Sequence, residues 1–181
     1  ICADLIIFRH IKGAQYMAGK NQTSANFSLR SPVHFFALGF GGGLLKPAPG
    51  TWGTLVGVLI YLLLISIPTP VYVLLCVVLF VVGIWLCDIA CRDAGVHDHG
   101  AIVWDEIVGF LVTMAFVPFS WPALILGFLL FRFFDILKPW PISALDRQVG
   151  GGFGVMVDDL LAGLFAGILL WAMFNTLGSF L

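Results

Sequence analysis

The chain carries ten carboxylates, and all but Asp4 fall in two windows, Asp88 to Glu106 and Asp135 to Asp159. Within these windows Asp105 adjoins Glu106, Asp158 adjoins Asp159, and Asp135 stands between Arg132 and Lys138. Adjacent carboxylates on several helix ends repel one another, and a divalent cation relieves that repulsion. Oxygen donors with no thiolate and few imidazoles suit Mg²⁺ or Mn²⁺, as one ion or two, rather than zinc. Asp105, Glu106, Asp135, Asp158 and Asp159 are therefore the candidate metal ligands. A metal would let an anionic substrate approach these acids. Arg132 and Lys138 add fixed positive charge, and a guanidinium is well shaped for bidentate contact with phosphate.

Each feature also has a plainer reading. Either acidic pair could occupy the first turn of a helix, where the macrodipole and free N–H groups stabilise a carboxylate. Asp135 lies near the C-terminal end of its helix, where the dipole disfavours it, so its plain reading is an ion pair with Arg132 or Lys138. Gathered on one face of a small protein, the three groups favour a shared pocket. The run Gly39-Phe40-Gly41-Gly42-Gly43 is followed by Pro47-Ala48-Pro49-Gly50-Thr51-Trp52-Gly53-Thr54. Gly50, Thr51 and Thr54 could offer an N–H group and hydroxyls to a phosphate at a helix N-terminus. The competing reading makes Thr51 an ordinary N-cap. No G-x-x-x-x-G-K-[ST] run is present, so this is not a Walker loop. Gly150 to Gly152 and Gly154 read as a flexible hinge. His97-Asp98-His99 lacks the H-E-x-x-H spacing, and His97 or Asp98 is a candidate for proton relay.

The elements that position these residues are hydrophobic. Pro47 to Cys87, Ile107 to Phe131 and Leu160 to Leu181 contain no Asp, Glu, Lys or Arg. A bilayer core of roughly 30 Å needs about 17 to 25 apolar residues in a helix. Proline breaks at Pro68 and Pro70, and at Pro118 and Pro122, divide the stretches into spans near 52 to 67, 71 to 87, 103 to 118, 122 to 137 and 158 to 178. The expected fold is an all-α integral membrane protein with about five transmembrane helices. A short interfacial or re-entrant helix over Pro32 to Leu45 precedes them. An ionised group at the bilayer centre costs about 2.5 to 3.5 kcal/mol, so five acids belong at the membrane surface. Five antiparallel spans put every polar motif on one side. All nine Lys and Arg residues lie in or beside that face, which makes it cytoplasmic.

Residues 1 to 31 read as a loosely ordered extension without the pattern of a signal peptide, and residues 32 to 181 as one membrane domain. The composition, 60% hydrophobic and 10% charged with a mean hydropathy of +1.04, is far from that of a soluble domain. The net charge of −1 and the absence of a basic patch exclude a nucleic-acid partner. Cys2, Cys76, Cys87 and Cys91 form no C-x-x-C pair and read as buried free thiols. Periodicity marks no face for a second copy. A small ion-coupled or proton-coupled transporter is the rival class, because it too clusters carboxylates. It would need some of them near the midplane and a path to both faces.

Four segments together resemble the bacterial phosphatidylglycerophosphatase A family. They are Pro47-x-x-Gly50-Thr51-x-Gly53-Thr54; His97-Asp98-x-x-x-Ile102-Val103-x-Asp105-Glu106-x-x-Gly109; Arg132-x-x-Asp135-x-x-Lys138-Pro139-x-Pro141-Ile142; and Gly151-Gly152-x-Gly154-x-Met156-x-Asp158-Asp159-x-x-Ala162-Gly163. Thr54 stands where a serine is usual and Val155 where isoleucine is typical. Lys46 and His99 are not general features and receive no role. The resemblance implies Mg²⁺-dependent hydrolysis of phosphatidylglycerophosphate, a phospholipid in the membrane, to phosphatidylglycerol and phosphate at the bacterial inner membrane. On that reading Asp105, Glu106, Asp135, Asp158 and Asp159 supply the metal ligands, Arg132 and Lys138 stabilise phosphoryl charge, and Gly50, Thr51 and Thr54 contact substrate. His97 or Asp98 would relay the proton, and Asp105 is a further catalytic candidate. The nucleophile is either a water or one of the carboxylates.

Overall fold

A computed structural model describes residues 27–96 and 99–177. Among the described residues there are seven α-helices: α1 (Pro32–Ala37), α2 (Pro49–Leu64), α3 (Thr69–Ala94), α4 (Trp104–Met114), α5 (Trp121–Leu137), α6 (Ile142–Gln148) and α7 (Gly151–Leu177). A 3₁₀ turn, Gly42–Leu44, lies between α1 and α2. Proline sits in the first turn of α1, α2, α3 and α5, where its missing N–H costs nothing. The Ser120 side chain caps α5 by accepting from the Ala123 N–H at 3.1 Å. Gly95, at φ 68°, ends α3; its N–H donates to the Arg92 carbonyl at 3.1 Å and the Val96 N–H to the Cys91 carbonyl at 3.3 Å.

The short helix α4 is the core of the bundle. Ile107, Val108, Phe110, Leu111 and Met114 are buried against α2, α3, α5 and α7. Helix α7 contacts α3, α4, α5 and α6, and its longest interface is with α4. That interface is tight because Gly163 faces the Gly109 backbone; a Cβ on Gly163 would stand 3.1 Å from the Gly109 carbonyl carbon. The Thr113 hydroxyl lies 3.1 Å from the Gly109 carbonyl oxygen and 3.2 Å from that of Gly163, bridging the two helices. Asp159 lies one turn before Gly163, and Asp105 one turn before Gly109. The two helices run in register, so their acids meet.

Helices α3 and α7 are long and apolar enough to cross a membrane, and α2 is a shorter apolar helix. Five spans were expected; α2, α4 and α5 have 16, 11 and 17 residues. Leu63, Leu74, Ile125 and Trp171 project outward from α2, α3, α5 and α7 and are more than half exposed. Such an apolar exterior suits lipid rather than water.

Three expected boundaries differ. Helix α3 runs past Cys87 to Ala94, which makes Asp88, Arg92 and Asp93 helical rather than part of a loop. The expected connection from 138 to 157 contains α6 and the start of α7. The glycines read as a hinge are helical from Gly151 onward because α7 docks there on α3. A Cβ on Gly152 would stand 2.5 Å from the Asp88 nitrogen, and the Gly152 N–H donates to Asp88 Oδ1 at 3.3 Å. Cys76, Cys87 and Cys91 are buried and form no disulfide with one another, as expected; Cys2 lies outside the described residues.

The helix expected over Pro32 to Leu45 ends at Ala37, because Gly39, Phe40 and Gly41 take positive φ values of 55°, 58° and 92° that no right-handed helix allows. The Val103 N–H donates to the Ala37 carbonyl at 2.9 Å, and His34 Nε2 bonds Asp93 Oδ2 at 2.9 Å. These contacts seat α1 on the connection into α4 and on the end of α3.

Candidate active site

Four helices converge where their polar ends meet. Asp105 and Glu106 stand in the first turn of α4, as one plain reading foresaw. Asp158 and Asp159 do not occupy a first turn, since α7 starts at Gly151 and has no acid there. The helix dipole therefore accounts for the first pair but not for the second. Asp105, Asp158 and Asp159 are only 8%, 4% and 3% exposed. One oxygen each from Asp105, Glu106 and Asp159 lies within 4.8 Å of the others.

Arg132 reaches this cluster from α5. Its Nη1 is 3.9 Å from Glu106 Oε1 and forms an ion pair with Asp135. The i,i+3 pairing read from the sequence for Asp135 is thus present. Helix α2 enters through Gly50. A Cβ at that position would stand 2.9 Å from Arg132 Nη1 and closer still to Glu106 Oε1, so only glycine lets the two side chains lie there undisturbed. Thr51 is not the N-cap: Ala48 holds that place, and the helix starts at Pro49. The fully buried Thr54 donates its hydroxyl to the Gly50 carbonyl at 2.8 Å, holding the turn rather than pointing a free O–H outward.

Lys138 ends α5 and binds two carboxylates. It pairs with Asp158 and, at 2.8 Å, with Asp146 Oδ1 of α6. Burial alone would lower the pKa of this ammonium. The charge of Asp158 and hydrogen bonds to Asp146 and Asp158 outweigh burial and raise it above the ordinary lysine range. Lys138 is a cation at any working pH.

Among the described residues, Asp105, Glu106, Asp135, Asp146, Asp158 and Asp159 gather around only Arg132 and Lys138. Buried carboxylates in such excess need further positive charge. Glu106 Oε2 and Asp159 Oδ2 are buried and make no hydrogen bond within the protein. Hard oxygen donors from two helices with lone pairs uncommitted fit a divalent cation such as Mg²⁺. Arg132 Nε is buried and likewise without a hydrogen-bond acceptor. An anion beside the cation would engage a guanidinium so placed.

Of the expected site residues, the structure gathers Gly50, Asp105, Glu106, Arg132, Asp135 and Asp159 at one locus, with Lys138 and Asp158 adjoining it. Thr51 is half-buried in the first turn of α2. His97 and Asp98 lie outside the described residues. Asp146 was not singled out in the sequence. Lys138 and Asp146 lie on opposite sides of a proline turn that ends one helix at Leu137 and starts the next at Ile142, so no helical period relates them and periodicity offered no signal.

The phosphatidylglycerophosphatase A family model matches residues 35–174. A phosphatidylglycerophosphatase A of Haemophilus influenzae is 44% identical over 156 residues, covering 85% of this chain and 96% of the relative. One of Escherichia coli is 41% identical over 152 residues, covering 83% of this chain and 88% of the relative. No solved structure matches the chain. The stretch matched by the family model contains every element of the acidic site, and by that match and these identities the chain belongs to the phosphatidylglycerophosphatase A family.

Proposed function

We propose that the acidic site removes the terminal phosphate of phosphatidylglycerophosphate, with Asp105, Glu106 and Asp159 as the cation-binding core. The enzyme is a phosphomonoesterase of phospholipid biosynthesis, as its family implies. One observation carries the assignment of the site: three carboxylates from two helices converge within 4.8 Å beside Arg132, with buried oxygens of Glu106 and Asp159 uncommitted. Mg²⁺ held there would neutralise the acids and polarise the phosphoryl oxygens.

The chain's own residues divide the remaining work. Phosphomonoester hydrolysis is among the slowest uncatalysed reactions, so charge on the transferring group must be stabilised strongly. Arg132 is held by Asp135 on one side and lies against Glu106 on the other, which fixes its guanidinium before substrate arrives. It binds the phosphate oxygens through N–H groups not used by Asp135. Lys138 supplies a second cation at the rim, anchored by Asp158. Gly50 keeps the first turn of α2 close enough to close the pocket without displacing either side chain. Asp135 and Asp158 serve mainly as anchors of these cations and can complete a cation's ligand set. His97 or Asp98, in the connection before α4, is the proposed proton relay to the departing glycerol oxygen.

The setting is a bilayer. We infer that α2, α4 and α5 complete a five-helix membrane bundle with α3 and α7. The shortness of α4 carries no penalty there, because it is surrounded by other helices and its free backbone ends need no lipid contact. Arg132 and Lys138 lie beside the acidic site, which supports a cytoplasmic orientation of that face, and the Escherichia coli relative supports an inner-membrane setting.

The test is phosphate release from phosphatidylglycerophosphate micelles by the detergent-purified protein, with Mg²⁺ and with chelator, beside Asp159→Asn. We expect release that depends on the cation and falls at least about 10²-fold in the variant. Undiminished release by folded Asp159→Asn would overturn the assignment.

A further inference from the structure

Lys138 is unusual in its backbone and in its partners. It adopts the left-handed conformation, φ 40° and ψ 58°, at the end of α5, a region that residues with a Cβ seldom occupy. Its N–H closes the helix on the Phe134 carbonyl at 2.9 Å, and the ammonium lies between two carboxylates on two different helices.

Those two carboxylates are not equivalent. Asp158 has a side chain only 6% exposed and belongs to the long helix α7. Asp146 has a side chain 40% exposed and belongs to the seven-residue α6. It lies toward the C-terminal end of α6, where the helix dipole disfavours a negative charge. Water can solvate Asp146 if it lets go of Lys138, but it cannot readily solvate Asp158. One partner is fixed and the other exchangeable.

We propose that Asp146 is an exchangeable counter-ion: it occupies Lys138 while the site is empty and gives way to the phosphate of the substrate. A phosphomonoester carries about −1.5 to −2 charge at neutral pH and three acceptor oxygens, against −1 and two oxygens for a carboxylate. The exchange therefore favours substrate. After hydrolysis Asp146 competes with inorganic phosphate for the same ammonium and helps to expel it. Asp146 makes the lysine available at a controlled cost, and its removal should strengthen phosphate binding rather than weaken it.

This inference rests on the reading of Lys138 as a phosphate contact, and the test separates the two. Inorganic phosphate is titrated calorimetrically into the detergent-solubilised protein with Mg²⁺ present, for wild type, Asp146→Asn, Asp146→Glu, Lys138→Gln and the double variant. The expected result is a Kd about three- to tenfold lower for Asp146→Asn and near wild type for Asp146→Glu. Lys138→Gln should raise it, and adding Asp146→Asn to Lys138→Gln should bring no further tightening, since the effect runs through one ammonium. A merely structural role for Asp146 would not tighten phosphate binding. An unchanged Kd in Lys138→Gln would overturn the phosphate contact itself. A raised Kd in Lys138→Gln beside an unchanged or raised Kd in Asp146→Asn would overturn the counter-ion exchange alone. Equal tightening by Asp146→Asn with and without Lys138 would reduce the effect to general charge and overturn the exchange as well.

Discussion

Gly50→Ala adds one methyl group at the point where three helices meet around the acidic site. Its Cβ would stand 2.9 Å from Arg132 Nη1 and closer still to Glu106 Oε1, where ordinary contact begins at 3.4 Å. Both obstructing atoms are ends of flexible side chains, so they can yield without moving a helix. Helix stability should not suffer, because alanine is favoured over glycine by up to about 1 kcal/mol within a helix. The displaced atoms, however, are the ones we assign to chemistry. Glu106 must withdraw by on the order of 1 Å, and a misplacement of that size costs roughly 10²-fold in rate. Phosphate release from phosphatidylglycerophosphate should therefore fall by about two orders of magnitude, while thermal unfolding in detergent stays at or above the wild-type temperature. Activity within threefold of wild type would rule out this role for Gly50, as would a loss of activity that merely follows a loss of fold.

Two further substitutions test the scaffold. Gly163→Ala meets backbone rather than side-chain ends, with its Cβ 3.1 Å from the Gly109 carbonyl carbon. Overpacking of this kind costs about 1 to 3 kcal/mol. It should lower the unfolding midpoint and, by parting α4 from α7, weaken divalent-cation binding as well; cation affinity unchanged in the variant would contradict the helix-register argument. Tyr72→Phe removes a buried hydroxyl that donates to the Leu111 carbonyl at 2.7 Å. It should cost about 1 kcal/mol in denaturant unfolding and leave phosphate release intact, since neither group is assigned to the site.

Much of the site was legible because charge is so scarce in this chain. With three long uncharged stretches, the acids left between them had few places to go, and repulsion among them pointed to a cation. Helical spacing offered Asp135 two partners, Arg132 and Lys138, and the structure pairs it with Arg132. The start of α7 was not legible in this way. Gly151, Gly152 and Gly154 look like a hinge in isolation but are helical, and the close packing on α3, which leaves no room for a Cβ at Gly152, is what calls for glycine there. Such a contact is tertiary and leaves no local trace. The same holds for Asp146, which reaches Lys138 only because α5 ends in a left-handed residue and the chain turns back into α6. The length of α3 was missed for a different reason: Asp88, Arg92 and Asp93 look like the start of a loop, yet Asp88 pairs with Arg92 one turn on and receives the Gly152 N–H.

Asp105, Glu106 and Asp159 are proposed to form one divalent-cation site. Its most direct test is Mn²⁺ binding to the purified protein, followed by electron paramagnetic resonance, for wild type and for Asp105→Asn, Glu106→Gln and Asp159→Asn. Wild type should give a bound-Mn²⁺ signal that Mg²⁺ displaces, and each of the three substitutions should weaken the affinity at least about tenfold, because each removes a ligand from the same ion. Wild-type Mn²⁺ affinity in all three folded variants would contradict the shared site.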